Sequence, residues 1–348
     1  MRLVRFAPLA LLMVMPLHHS AQDAAKAAYE TDPKFVSALT EAQQMKRKSD
    51  FGYAIDAYKK AAKISGGQCK RCLDELYALQ FRTGQFKDSV NTANQLLALA
   101  QNPREKSKAE ADIGTSMLRQ AGDKPKPAQL ETIHTTLQAA LTDFPKNLNA
   151  LWSDACVMAR LGKTEEASKE FAACAQIAGP ADSMHRRAEH FAENPALSMN
   201  KMAPAFEVTA LDGTKFNLDD MNGRVVLIDF WATWCGPCNE ELPHLKKIAK
   251  EFEGQPLVMI SVSWDNDEAK WKDFIAKHEM TWVQYRDKGN QLSEMFGIHS
   301  IPHYFTIDSD GVLTAEMVGS GSDVEGKLKK LLKRAREAKP ATLAQGTK

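Results

Sequence analysis

From about residue 35 to residue 180, apolar and alanine positions recur every three or four residues, with little clustering of β-branched side chains. That period belongs to amphipathic helices packed on one another. One spacing returns three times. Phe51-x-x-Ala54-x-x-x-Tyr58-x-x-Ala61 is matched by Phe86-x-x-Ser89-x-x-x-Ala93-x-x-Leu96, and again by Thr164-x-x-Ala167-x-x-x-Phe171-x-x-Cys174. A small residue at Ala54, Ser89 and Ala167 lets two helices approach closely, and the larger side chains beside it fill the gap. The copies repeat at roughly 34 to 40 residues, the period of paired-helix repeats, which need neighbours to bury their apolar faces. The loop Gly122-Asp123-Lys124-Pro125-Lys126-Pro127 interrupts the series, and an irregular helical bundle remains the alternative.

After Gly179-Pro180 a polar stretch with His and Arg runs to Lys201, read as a linker or capping helix with a solvated charged face. From Ala205 the pattern changes to short β-rich runs alternating with helical ones, which argues an α/β layer. Strands are expected at Phe206–Ala210, Val225–Trp231, Leu257–Ser263, Trp282–Tyr285, Tyr304–Ile307 and Leu313–Val318. Helices are expected at Glu240–Phe252, Glu268–Lys277, Gln291–Phe296 and Val324–Ala338. The last is strongly basic, but Leu328, Leu331 and Leu332 give it a face to lay on the sheet, which is preferred here to a membrane surface.

The beginning of the chain changes the setting. Arg2 and Arg5 precede an apolar stretch from Phe6 to Leu17, and polar residues follow, as in a secretory signal. The stretch is short for a membrane span and is broken by Pro8 and Pro16. Cleavage is expected near Ser20 or Ala21, with an uncleaved anchor or a buried helix as the alternatives. Export would place all six cysteines in an oxidising compartment, periplasmic or otherwise extracytoplasmic. At 348 residues and 44% apolar composition the chain has room for two or three globular domains. A formal charge of +1 gives no electrostatic reason to expect a nucleic-acid partner.

The chemistry concentrates at Trp234-Cys235-Gly236-Pro237-Cys238, directly after the apolar run Val225–Trp231. The first thiol falls at a strand-to-helix turn. Backbone N–H groups and the helix dipole stabilise a thiolate there, and a second Cys within one turn completes the parts needed for thiol–disulfide exchange. Zinc does not fit, because no second ligand pair of suitable spacing lies nearby. Covalent haem does not fit either, because Asn239 rather than His follows Cys238. No metal and no cofactor is expected.

Asp229-Phe230-Trp231-Ala232-x-Trp234-Cys235-Gly236-Pro237-Cys238 occurs together with Pro243 and, about sixty residues on, Ser300-Ile301-Pro302. With these the chain resembles thioredoxin over roughly Ala203 to Ala335. Thr233, Glu241 and Phe305-Thr306-Ile307-Asp308-x-x-Gly311 make it most similar to the extracytoplasmic TlpA/ResA branch. The resemblance implies a thioredoxin-like fold behind the repeats. The expected organisation is therefore α plus α/β: a signal peptide at 1–21, a helical tetratricopeptide-like repeat domain at 22–180, a linker at 181–202, the thioredoxin-like domain at 203–338 and a disordered tail at 339–348.

In this reading Cys235 is the exposed nucleophile and Cys238, more buried, resolves the mixed disulfide. Asp229, desolvated on the strand before the dithiol, takes the proton of Cys238. Glu241 matches an acidic position of the ResA-like group and either shares that proton work or is a solvated first-turn carboxylate. The resemblance implies that Pro302 is cis and faces the dithiol, so that Ile301 presents its backbone to an incoming peptide. Trp234, Gly236 and Pro237 line the same substrate approach. Pro243 falls inside the helix and kinks it. Gly-Pro between the thiols is the dipeptide of a reductant.

A second C-x-x-C, Cys69-Lys70-Arg71-Cys72, opens a repeat helix. It is read as a structural disulfide fixing a helix start, with a second redox dithiol as the alternative. Cys156 and Cys174 either bridge or serve as small buried thiols. The function expected is an exported protein-disulfide oxidoreductase working as a reductase. Its partners are disulfide-containing proteins, an upstream membrane or soluble electron donor, and a peptide or protein docked on the repeats. The competing functions are a non-enzymatic repeat adaptor, against which the intact Cys235, Cys238, Asp229 and Pro302 count, and a peroxiredoxin-like peroxide reductase, whose Pro and Thr cradle is missing before Cys235.

Overall fold

The computed structural model describes residues 28–180, 182–221 and 223–337. The expected signal segment and tail lie outside the described residues. The chain divides into two compact units, Met1–Ala150 and Leu151–Lys348.

In the first unit helices α1 (Pro33–Arg47), α2 (Phe51–Ile64), α3 (Lys70–Arg82), α4 (Phe86–Ala98), α5 (Pro103–Ala121) and α6 (Pro127–Asp143) follow one another, each packed on the next. Local chemistry sets their starts. Asp32, Asp50 and Asn102 accept hydrogen bonds from the free N–H groups of the first turns of α1, α2 and α5. Proline opens α1, α5 and α6, where no backbone donor is required. Helices α7 (Leu148–Arg160), α8 (Thr164–Ala178) and α9 (Ser183–Glu193) come next. Nine of the repeating positions read from the sequence are buried, Ala54, Tyr58 and Ala61 on α2, Ser89, Ala93 and Leu96 on α4, and Ala167, Phe171 and Cys174 on α8, whereas the first position of each copy is partly buried at Phe51 and Phe86 and exposed at Thr164.

In the second unit Trp152, Phe171 and Phe191 pack edge-on or tilted with ring centroids 5.2 to 5.4 Å apart, tying α7, α8 and α9 together. The stretch expected as a linker or capping helix is largely helix α9, followed by a 3₁₀ turn at Pro195–Met199. Its arginines are engaged. Arg187 reaches Asp219 at 2.6 Å and Arg186 reaches Asp220 at 2.8 Å, both on a 3₁₀ turn at Leu218–Met221. The Arg187 pair is mostly shielded from solvent, so the charges read from sequence as a solvated face hold α9 to the layer that follows.

That layer is a five-stranded sheet in the order β5-β4-β3-β6-β7, from β3 (Val225–Trp231), β4 (Leu257–Ser263), β5 (Val283–Arg286), β6 (His303–Ile307) and β7 (Leu313–Val318). A separate antiparallel hairpin pairs β1 (Glu207–Thr209) with β2 (Lys215–Asn217). β3 runs parallel to β4 and antiparallel to β6. Every residue of β3 is buried, as its near-continuous apolar sequence requires of a central strand covered on both faces. On one face Val226, Ile228 and Phe230 meet Phe206, Phe216 and Phe305. On the other, Val225 and Leu227 meet Leu245 and Ile248 of α10 (Gly236–Glu251) and Leu328, Leu331 and Leu332 of α13 (Val324–Glu337). The basic C-terminal helix is thus laid on the sheet. Two short helices, α11 (Glu268–Lys277) and α12 (Gln291–Phe296), complete the layer. Among the described residues no helix is long and apolar enough to cross a membrane.

Two expectations are corrected. β2 was not legible, because three residues, Lys-Phe-Asn, carry too little alternation. Helix α10 starts at Gly236 rather than Glu240, since Pro237 is tolerated in a first turn and Cys235 itself acts as the N-cap.

Helices α5 and α6 approach closely at Gly114 of α5, where an added Cβ would lie 2.6 Å from Cγ and Cδ2 of the fully buried Leu137 of α6. Gly114→Val should therefore lower stability by about 2 kcal/mol through overpacking, read as a lower midpoint of thermal or urea unfolding followed by circular dichroism.

Candidate active site

Strand β3 ends at Trp231, the chain turns through Ala232-Thr233-Trp234, and α10 begins immediately after Cys235. The turn is held from beneath. Asp265 accepts the Thr233 N–H at 2.9 Å and the Thr233 hydroxyl at 2.5 Å, while Ser263 Oγ donates to the same carboxylate at 2.7 Å. Asn239 Nδ2 donates to the Thr233 carbonyl at 3.0 Å. This network was missed in the sequence, where nothing links Asp265 to a turn thirty residues earlier.

Cys235 and Cys238 are joined by a disulfide with Cα atoms 5.3 Å apart. Sγ of Cys235 accepts the backbone N–H of Cys238 at 3.2 Å, so the sulfur occupies the N-cap position and faces the positive end of the helix. The expected contrast between an exposed Cys235 and a buried Cys238 is not found: each is 5% exposed. In the oxidised pair both sulfurs share one apolar cluster with Trp231, Leu242 and Trp271, and position on the helix rather than exposure distinguishes them. Trp234, by contrast, is 63% exposed beside the pair. The Ile301–Pro302 peptide is cis, and Ile301 packs against the cluster that contains both cysteines. Ile301 is thus brought to the cysteine cluster, with the cis Pro302 beside it in the chain, just before β6. Gly236 and Pro237 form the first turn of α10, and Pro243 lies within that helix.

Asp229 is 3% exposed in the middle of β3. Alternation places it on the face of Leu227, which packs on Leu245 and Ile248, and of Trp231, which packs on Cys238 and Leu242. It therefore lies on the side of the sheet that α10 covers, toward the end that carries the disulfide. Oδ2 accepts the Ser261 hydroxyl at 2.9 Å, and Ser261 Oγ in turn accepts the indole N–H of Trp282 at 2.8 Å. Oδ1 is buried with no hydrogen-bond partner. Desolvation, reinforced by the negative charge of Glu241 and opposed by the Ser261 hydrogen bond, pushes the carboxyl up to about 7. Tyr304 pairs directly across from Asp229 on β6 and also has an unpartnered buried hydroxyl, its acidity suppressed by burial and by both carboxylates. Ser261, Trp282 and Tyr304 had no sequence signal beyond lying on strands or at their ends.

Glu241 is not the solvated first-turn carboxylate that the sequence allowed. Its side chain is 13% exposed, its Oε1 accepts the Gly321 N–H at 2.6 Å and its Oε2 lies 3.3 Å from Nδ1 of His244. The other cysteines lie elsewhere. Cys69 and Cys72 form a second disulfide. Cys156 and Cys174 are not bridged, and burial, with Glu170 and Cys156 adding, pushes the Cys174 thiol up to about 12, where it is inert at neutral pH. Among the described residues no group of three or more His, Cys, Asp or Glu side chains is placed to hold a metal ion.

Residues 198–332 match the Redoxin family. The thiol-disulfide oxidoreductase ResA of Bacillus thuringiensis (strain Al Hakam) is 31% identical over 143 residues, 40% of this chain and 83% of that protein. ResA of Oceanobacillus iheyensis is 26% identical over 132 residues, 37% of this chain and 69% of its own length. Among solved structures, the thioredoxin domain of a thiol-disulfide oxidoreductase from Bacteroides vulgatus is 29% identical, with a TM-score of 0.36, covering 38% of this chain and 96% of that one.

The burial of Asp229 has a sign that can be measured. Its folded carboxyl holds a proton up to about pH 7, whereas the ordinary value is 3.8. Between those limits the folded state binds more protons than the unfolded chain, so this group's contribution to stability falls as pH rises through the window. Asp229→Asn removes the cost of the buried charge. It should stabilise the protein by about 2 to 4 kcal/mol at pH 8 and by less than about 1 kcal/mol at pH 4, measured as urea unfolding of both proteins at the two pH values.

Proposed function

The chain belongs to the ResA-type thiol–disulfide oxidoreductases, and on that premise we propose that it works outside the cytoplasm as a protein-disulfide reductase. The thiolate of Cys235 attacks one sulfur of a disulfide in a partner protein. The partner's S–S bond breaks, its second sulfur leaves as a thiolate and takes up a proton, and a mixed disulfide joins the two proteins. Cys238 then loses its proton, attacks Cys235 and releases the partner's remaining thiol. Two electrons and two protons pass to the substrate, and the Cys235–Cys238 disulfide is left for an upstream donor to reduce.

The observation that carries this reading is the buried Asp229 on the α10 side of β3, with one unpartnered oxygen and a carboxyl titrating near neutrality. A base with that affinity can accept the Cys238 proton at physiological pH and return it. Glu241 acts as a positioning residue: its charge raises Asp229, and its bond to Gly321 fixes where that charge sits. Exposed Trp234 and the Ile301-Pro302 loop frame the approach of an extended substrate segment. Gly-Pro between the thiols adds no charge to stabilise the reduced form, which favours giving electrons over taking them.

For the remainder of the chain, the proposed organisation is a signal peptide at 1–21, tetratricopeptide-like repeats at 22–180, a linker at 181–202 and the catalytic domain at 203–338. The buried repeat positions on α2, α4 and α8 support the second of these. The repeats dock a peptide or protein partner, a reading supported by a cavity of about 660 Å³ among α3, α5 and the end of the first unit, lined by Lys70, Arg104, Lys108 and Lys146.

Reduction of insulin by dithiothreitol, followed as turbidity, tests the activity. The wild type should accelerate it, and Cys235→Ser should lose at least about a hundredfold of that rate, as removal of a nucleophile does. Cys238→Ser should accumulate mixed disulfides, resolved as bands on non-reducing gels that vanish with reductant. In single-turnover mixing, wild-type release of product should speed up as pH rises through about 7, where Asp229 becomes ionised, and Asp229→Asn should remove that rise. A wild type that leaves insulin untouched would instead favour the adaptor.

A further inference from the structure

The disulfide in the helical unit reproduces the local geometry of the one in the candidate active site. Cys69 is the N-cap of α3, as Cys235 is of α10. Its Sγ accepts the backbone N–H of Cys72 at 3.2 Å, the distance found between Cys235 and the N–H of Cys238. The Cα separations are 5.2 and 5.3 Å. Both pairs belong to an apolar cluster. Access does not separate them either: Cys69 is 4% exposed and Cys72 fully buried, against 5% for each cysteine of the other pair. A disulfide needed only to fix a helix start does not require its first sulfur to take the position where a thiolate is best stabilised.

The two differ in charge. Gly236 and Pro237 separate the active-site thiols, whereas Lys70 and Arg71 separate Cys69 from Cys72. The first turn of α3 holds no acidic residue. The carboxylates of the following turn are paired away, Asp74 with Lys108 at 3.0 Å and Glu75 with Lys46 at 2.6 Å. Lys70 itself reaches Glu105 at 2.6 Å, and Arg71 adds a second positive charge in the same first turn. A helix N-terminus flanked by cations stabilises a thiolate more than one flanked by neutral residues. A stabilised thiolate is also the better leaving group.

We propose that Cys69–Cys72 is a second redox-active disulfide, and that it accepts an electron pair from the Cys235/Cys238 dithiol of another copy of this chain. The exchange rests on the reductase reading of Cys235 and Cys238. Thiolate Cys235 attacks Cys69, the less buried sulfur. The Cys69–Cys72 bond breaks, and Cys72 leaves and is protonated. Cys238, deprotonated, then attacks Cys235, and Cys69 departs as the thiolate that the α3 terminus stabilises. One disulfide forms at Cys235–Cys238 and one is lost at Cys69–Cys72; two electrons are transferred and, because the exchange begins and ends with one thiolate, one proton. The direction follows from the charges: the pair with cations between its thiols is the more oxidising.

Two full-length variants test this in trans. Cys69→Ser/Cys72→Ser carries only the Cys235/Cys238 pair, and its reduction of insulin reports on that pair alone. Reduced with dithiothreitol, desalted and mixed at equal concentration with oxidised Cys235→Ser/Cys238→Ser, it should convert most of Cys69–Cys72 to dithiol. Alkylation followed by peptide mass spectrometry reads the result. Insulin reduction with Cys69–Cys72 left oxidised would overturn this inference and spare the reductase reading. A second measurement does not depend on Cys235. The Cys235→Ser/Cys238→Ser protein is titrated in glutathione buffers while circular dichroism confirms that it stays folded. The dithiol should form while the helices are intact, with a midpoint at a lower ratio of reduced to oxidised glutathione than Cys235/Cys238 shows in Cys69→Ser/Cys72→Ser. A bond that yields only on denaturation is structural, and the inference then fails.

Discussion

The second unit is organised around one uncomfortable placement: a carboxyl group on the central strand of a sheet that is buried on both faces. Six of the seven residues of β3 are apolar, and their burial against α10, α13 and the opposite face locks the strand's position and register. Asp229 is carried into that core because its neighbours must be there. Ser261 answers one of its oxygens and nothing answers the other. The result is a group poised between two protonation states, directly behind a helix whose first residues are a dithiol. The stability given up by burying it is what would make it a usable proton acceptor near neutral pH, as proposed above.

Around that point the parts arrive from distant segments and are held by polar contacts. Asp265, after β4, fixes the Thr233 turn. Glu241, inside α10, is bonded to the loop after β7. Ile301 reaches the cysteine cluster from the start of β6. Each side chain is placed by a strand end or a helix, elements rigid enough to hold the dithiol and the buried carboxyl in register. The sulfur at the N-cap does two jobs: it satisfies a helix N–H that would otherwise lack a partner, and it is the atom on which the exchange would begin. The same economy at Cys69 is why the second disulfide reads as more than a staple.

The repeat pattern was legible for a plain reason. Ala54, Ser89 and Ala167 are fully buried, so a bulky residue there would be excluded, and the constraint is written at fixed spacing. Strands β3, β4 and β7 were likewise readable to the residue, because each is a sustained run bounded by polar or glycine-containing turns. The start of α10 was misjudged because Gly and Pro usually signal a break. Here Pro237 stands at the one place in a helix that needs no donor. The arginines of α9 were misjudged because their partners, Asp219 and Asp220, lie some thirty residues away.

Taken alone, the sequence determined the kinds of element, the dithiol at a strand-to-helix turn and the candidate base six residues before Cys235, because these are local and follow from period, spacing and residue type. Tertiary structure decided what those residues experience. It set which face of β3 Asp229 occupies and left one of its oxygens without a partner. It brought Glu241 and Ser261 close enough to shift its acidity, and it made the two cysteines of the candidate pair equally sheltered. Burial and electrostatic fields are sums over neighbours from the whole chain, and no local pattern records them.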